Sequence, residues 1–212
     1  MDISAAAVKE LRERTGVGFM DCKHALREAS GDIDEAIKIL RTMGKAKAAK
    51  KAGRAATEGR IESYVHMGGK IAVLLELNCE TDFVARNEDF VSLARDLAMH
   101  VAAANPKHIA REDVDAAALD SEREVYREQA LSEGKPENII DKIVDGKVNR
   151  YLAETCLLEQ GFVKEPDRKV TDLITDAVTK LGENIRIGRF SRLAIGDSDA
   201  TLAVRKPVST EE

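Results

Sequence analysis

Apolar residues recur along the chain with two different periods. Through the first 44 residues the period is helical. Val8 and Leu11 mark a first helix, and Thr15-Gly16-Val17-Gly18 breaks it. Phe19, Cys22, Ala25, Leu26 and Ala29 line one side of a second helix, which Ser30-Gly31 ends. Asp32-Ile33-Asp34-Glu35 reads as an acidic capping box opening a third, whose stripe of Ile33, Ala36, Ile37 and Leu40 runs to Gly44. Residues 45–58 are rich in Ala and Lys and show no apolar face, so they are expected to form a solvated basic tether. The alternative is a basic arm that touches RNA or an acidic protein surface.

Beyond residue 58 the period changes to two. Arg60 to Met67 alternates with Ile61, Val65 and Met67 on one side, Gly68-Gly69 supplies a tight turn, and a second strand follows from Lys70 to Cys79. A third strand is expected over Asn184 to Ile195, where Ile185, Ile187, Leu193 and Ile195 share a parity that Arg189 and Ser191 interrupt. Between them the pattern is helical. Phe90, Ala94, Leu97, Ala98 and Val101 mark a helix that Pro106 stops. A charged segment over 119–132 meets a turn at Gly134-Lys135-Pro136, a helix follows to about Leu158, and another spans Val170 to Leu181. The expected class is α+β: a three-helix bundle in residues 1–44, a linker over 45–58, and an α+β domain over 59–196. That domain is a three-stranded antiparallel sheet with helices on one face. Residues 197–212 are polar and are expected to be a disordered tail. So small a sheet leaves free edges and one uncovered side, which a second copy or a partner would protect.

Composition narrows the function classes. The net charge is −5, but residues 1–54 hold 12 basic side chains against 8 acidic, so the remainder carries −9. That argues against nucleic acid as the main partner of the larger part. No apolar run approaches the roughly 18 residues of a membrane span, and Met1-Asp2-Ile3-Ser4 does not open like a signal peptide. The three cysteines are widely spaced and suggest neither a disulfide framework nor a zinc site. A cytoplasmic protein with reduced cysteines is expected. His24, His66, His100 and His108 show no ligand spacing, and no nucleophile elbow or Walker loop occurs. Gly16 and Gly18 lack the preceding strand and following Lys-Ser/Thr of a phosphate loop, so a tight turn is the better reading. No enzyme, metal or cofactor is expected.

One stretch stands apart, Glu76-Leu77-Asn78-Cys79-Glu80-Thr81-Asp82-Phe83-Val84-Ala85-Arg86. It passes from the second strand into a polar turn just before a helical pattern begins, so Asp82 and Phe83 sit side by side at a junction. The chain has only five Phe. Phe83 reads either as a core plug or as an exposed functional ring, and Asp82 either as a helix-start acid or as a functional carboxylate. Upstream lies Leu11-Arg12-Glu13-Arg14-Thr15-Gly16-Val17-Gly18-Phe19-Met20-Asp21-Cys22-Lys23. Both runs, in this order, resemble signatures of the elongation factor Ts family, the nucleotide-exchange factors of the translational GTPase elongation factor Tu; the resemblance covers Val8 to about Gly196.

The resemblance implies a ubiquitin-associated-like bundle at the N-terminus, a size that three helices in 44 residues fit. It implies that Arg12 and Met20, with Lys23 behind them, contact the GTPase, although Met20 reads equally well as core packing. It assigns Thr81, Asp82, Phe83 and Val84 to loosening the magnesium ion that holds the nucleotide. It marks His66 as a contact made by a second protomer, since the chain resembles the short, homodimeric form. A binding adaptor built on such a bundle, without exchange activity, is the alternative.

Overall fold

The computed structural model describes residues 3–206. Helix α1 (Ala5–Thr15) is capped by the Ser4 hydroxyl, which accepts from the Ala7 amide, and closed by Gly16 in the left-handed region (φ 67°). Helix α2 (Phe19–Glu28) follows, then α3 (Ile33–Lys51), whose Asp32 carboxylate accepts from the Glu35 amide at 2.8 Å. Val8, Leu11, Cys22, Ala25, Leu26, Ala36 and Leu40 form the bundle's own core. Phe19, expected on the α2 stripe, is instead half exposed at the helix start.

The tether of residues 45–58 differs from expectation over its first half. Helix α3 runs through Gly44 without a break and ends only at Lys51. Its later turns lie along a distant helix, α8 (Val170–Leu181), and Ala48 packs against the larger core. A Cβ on Gly44 would stand 2.9 Å from Thr179 Oγ1, so the missing side chain lets the two helices close. The lysines take specific partners: Lys47 pairs with Asp21 at 2.6 Å, Lys45 with Asp172 at 3.8 Å, and Lys51 donates to the Gly182 carbonyl. The buried face is made of Ala and Gly, which carry no amphipathic signal.

Strands β1 (Glu58–Val65) and β2 (Ile71–Cys79) form the expected hairpin, paired from Glu58↔Cys79 to Val65↔Ala72. After β2 come the one-turn helix α4 (Asp82–Ala85) and the long α5 (Glu88–Ala104). Helices α6 (Ala116–Ser132) and α7 (Glu137–Thr155) make an antiparallel hairpin with a small core of Val114, Ala130, Ile140, Val144, Val148 and Leu152. Short strands β3 (Gly161–Phe162) and β4 (Glu165–Lys169) precede α8. Then β5 (Arg186–Ala194) and β6 (Thr201–Val204) complete a four-stranded antiparallel sheet in the order β1-β2-β5-β6. The sheet therefore has one strand more than expected. The disordered-tail reading fails over 201–204, which is β6, and Lys206 N donates to Asp113 Oδ1 at 2.9 Å. The rest of that tail, residues 207–212, lies outside the described residues.

Helices α5 and α8 cover one face of the sheet, over Val73, Leu75, Leu77, Ile187 and Phe190. The shared parity of Ile185, Ile187, Leu193 and Ile195 does not survive as a shared face. A bulge at Gly188 lets Leu77 pair with Ile187 but Leu75 with Phe190, so the inward parity of β5 changes within the strand. Ile185 and Ile187 are buried, whereas Leu193 and Ile195 are exposed. A Cβ on Gly188 would stand 2.4 Å from Asn78 Oδ1, so any larger residue there would push that side-chain end aside.

His100 is buried between α5 and the β3 turn. Its Nδ1 accepts from the Val163 amide at 3.2 Å, which leaves Nε2–H to donate to Gln160 Oε1 at 3.0 Å. The ring is thus held neutral, and burial pushes its pKa below the ordinary histidine value. Protonation favours the unfolded chain, so this stability is whole above the unfolded pKa of about 6.5 and is lost as pH falls from there toward the folded value. Thermal melts are expected to move to lower temperature between pH 7.5 and 5, and less steeply for His100→Gln. Equal pH slopes for the two proteins would contradict this role.

Candidate partner-binding site

The motif occupies the corner between β2 and α5. Thr81 caps α4, its Oγ1 accepting from the Val84 amide at 3.4 Å, and Asn87 caps α5 immediately afterwards, accepting from the Asp89 amide at 2.9 Å. Ala85 is buried and Val84 packs against the larger core, so the turn is anchored from below. Phe83 points the other way and is 80% exposed. The core-plug reading of Phe83 is thereby excluded. Asp82, at the first position of α4, is partly exposed and meets Arg86 at 2.8 Å, an open surface pair that a partner can exchange at little cost. The corner presents an aromatic ring and a carboxylate side by side on a turn held at both ends.

The holding groups come from far along the chain. Glu183, just after α8, accepts through Oε2 from the amides of Glu80 and Thr81, both at 3.0 Å, and through Oε1 from the Thr81 hydroxyl at 2.6 Å. In return Glu80 Oε1 accepts from the Asn184 amide at 2.6 Å. Asn184 Nδ2 donates to the carbonyls of Ala52 and Arg54 at 3.3 and 2.7 Å, the chain leaving α3. No local pattern in the sequence announces these residues, because their partners lie about a hundred positions away.

Cys79 closes the corner underneath, its thiol donating to the Thr81 carbonyl at 3.1 Å. Burial, and then the neighbouring Glu183 carboxylate, push its pKa up to about 11. Cys22 and Cys156 are also free and buried, and burial raises both thiols. Iodoacetamide at pH 8 is therefore expected to leave all three unmodified in the native protein and to modify all three in denaturant, as read by mass. Rapid native labelling of Cys79 would contradict this packing.

On the bundle, Arg12 is exposed on α1 and Met20 is 71% exposed at the start of α2, so Met20 is not a core residue. Lys23, one turn on, is half buried. The Gly16 turn between those helices lies against Lys180 of α8, whose ammonium meets Asp89 in the first turn of α5 at 2.7 Å. The structure thus connects the bundle's tip to the helix that begins beside the motif. His66 is elsewhere. It is exposed in the β1–β2 turn with Nδ1 3.0 Å from the Tyr64 hydroxyl, at the end of β2 opposite Thr81. The nine residues of β2 span roughly 30 Å, so within one chain His66 does not join the motif.

The sheet face away from the helices is uncovered. Ile61, Val65, Leu74, Leu193, Leu202 and Val204 share it and are all exposed, with the Glu76–Arg189 pair (2.6 Å) set among them. Ile61, Leu74 and Leu202 border a shallow apolar groove in this face. Among the described residues there is no group of His, Cys, Asp and Glu able to hold a metal ion, and no helix is long and apolar enough to cross a membrane.

The chain as a whole is similar to known proteins. The sequence pattern of the family described as Elongation factor TS matches residues 2–178. The chain is 56% identical over 195 residues to an "Elongation factor Ts" of Carboxydothermus hydrogenoformans, covering 92% of this chain and 90% of that protein. It is 55% identical over 199 residues to one of Thermoanaerobacter sp., covering 94% and 98%, and 53% identical over 197 residues to one of Geobacter sulfurreducens, covering 93% and 91%.

Proposed function

The chain belongs to the elongation factor Ts family, and on that premise we propose that it promotes GDP release from elongation factor Tu in the cytoplasm, as a homodimer, through the corner at Thr81–Val84. The observation that carries this reading is Phe83: an aromatic ring left in solvent on a turn that is capped, anchored and hydrogen-bonded from beneath. A free chain gains nothing from that arrangement, whereas an apolar crevice between helices of a partner would take the ring as a wedge. Asp82 beside it disturbs the polar network around the partner's magnesium ion, which itself helps to hold the nucleotide phosphates.

No bond is made or broken by the factor in this account. Exchange needs only groups that bind the GTPase better when nucleotide and magnesium are loosely held, since a ligand shifts an equilibrium by its differential affinity. Arg12, Met20 and Lys23 on the bundle supply a second contact with the GTPase, one that positions without loosening. His66 lies too far from the motif of its own chain to act with it. In a dimer the second protomer would bring its His66 to another part of the same GTPase. The uncovered apolar sheet face supports that dimer, because a second copy would remove it from water. In functional terms residues 1–44 are the docking bundle and residues 59–196 the dimerisation and exchange domain, joined through the end of α3.

The test is the release of fluorescent GDP from elongation factor Tu, with Asp82→Asn as the variant. The wild-type chain is expected to raise the release rate. Asp82→Asn keeps the shape and removes the charge, so it is expected to slow release with little change in melting temperature, and to show a smaller defect when magnesium is chelated. An Asp82→Asn protein that works at the full rate in both conditions would reduce Asp82 to a helix-start acid. A wild-type chain that binds the GTPase without speeding release would be an adaptor.

A further inference from the structure

We propose that Glu183 is a positioning residue for nucleotide exchange, fixing the direction in which Asp82 and Phe83 are presented; this rests on the functional reading above. Glu183 is the only side chain among the described residues that accepts hydrogen bonds from both backbone amides entering the motif, those of Glu80 and Thr81. With the Thr81 hydroxyl it accepts three bonds from two adjacent residues. These groups belong to the one stretch between β2 and α4 where the backbone leaves the sheet ladder and has not yet entered a helix. An unheld turn at that point would let α4 pivot, and the Phe83 ring with it.

The contact is reciprocal. Glu183 takes the Glu80 amide while Glu80 takes the Asn184 amide, so each segment's side chain satisfies the other's backbone. Gly182, left-handed at φ 78°, turns the chain out of α8 so that Glu183 faces the corner. Asn184 then ties the same three-residue segment to the carbonyls of Ala52 and Arg54, and Lys51 donates to the Gly182 carbonyl. The segment 182–184 therefore holds the motif on one side and the end of α3 on the other. The wedge is referenced to the helix that carries the docking bundle, so the two contacts with the GTPase keep a fixed relation.

Geometry and charge can be separated at this residue. Glu183→Ala removes the acceptors. Glu183→Asp keeps the charge but withdraws the oxygens by one carbon. Glu183→Gln loses the charge yet leaves an oxygen facing both amides, with its NH2 able to donate to the Thr81 hydroxyl oxygen. Two readouts are taken on each protein: the maximal rate and half-saturating concentration for fluorescent-GDP release from elongation factor Tu, and hydrogen exchange at the Glu80 and Thr81 amides. The Ala and Asp variants are expected to lose tenfold or more in maximal rate, with less than a threefold change in half-saturation, and to lose protection at those two amides only. The Gln variant is expected to stay within threefold of wild type with protection retained. Should the Ala variant fail to fold by circular dichroism, the Asp variant carries the same comparison. Full activity in Ala or Asp, unchanged amide protection in both, or equal loss in Gln and Ala would each overturn the inference, the last by making the charge itself the active feature. A wild-type chain that does not speed GDP release would instead overturn the functional reading, visibly so before any variant is compared.

Discussion

Phe83→Ala is expected to slow GDP release from elongation factor Tu on the order of ten- to a hundredfold while leaving the protein folded. The size follows from what the ring does in each state. A buried Phe side chain is worth roughly 1.5–3 kcal/mol, and each 1.4 kcal/mol is about a factor of ten in rate when the contact is made on the way to release. In the free chain the ring is 80% exposed, so truncation removes little packing, and a surface change of this kind is expected to stay within about 0.5 kcal/mol. A core aromatic would behave in the opposite way, costing about 3–5 kcal/mol of stability. Exchange kinetics and a thermal melt on the same preparation check both halves. A variant with normal kinetics would remove the ring from the mechanism.

The second large effect concerns assembly. Light scattering at micromolar concentration is expected to give about twice the 23.2 kDa chain mass for the wild type and a single chain mass for Leu74→Asp. Leu74 lies on β2 in the uncovered face, 55% exposed in one chain, opposite Ser63 on one side and Ser191 on the other. In a dimer through this face the new carboxylate would be buried without a cation, since the neighbouring Arg189 already pairs with Glu76. An uncompensated buried charge costs several kcal/mol, enough to break an interface of modest size. The monomer should fold normally, because the residue points away from its core. A wild-type protein that remains a single chain at high concentration would contradict the homodimer.

The elements of this fold that carry large apolar side chains at regular spacing were readable from the sequence, and those built otherwise were not. Val8, Leu11, Leu26 and Leu40 announce the bundle, and the alternation from Ile71 to Leu77 announces the central strand. The continuation of α3 along α8 is invisible because Gly44 and Ala48 form its buried side, where small size rather than hydrophobicity is the feature that matters. Strand β6 is four residues, Thr201–Val204, with a single buried position at Ala203, too short for alternation to speak. The face of β5 does not follow from the parity of its apolar residues, because one extra residue at Gly188 reverses that parity halfway along. The site divides the same way. The junction bearing Asp82 and Phe83 was legible, and whether the ring faced in or out was not, since periodicity is undefined over a single helical turn. Glu183 and Asn184 were out of reach because their role depends on a contact over some hundred residues of chain.

On the proposed reading the chain and GDP compete energetically for the same GTPase, each weakening the other by an equal factor. The most direct measurement is the dissociation constant of the chain for elongation factor Tu, taken without nucleotide and again with saturating GDP and magnesium. Markedly weaker binding is expected in the second condition, by the same factor with which the chain weakens GDP. An equal affinity in both conditions would contradict it, because a partner that binds both states alike shifts nothing, however tightly it binds.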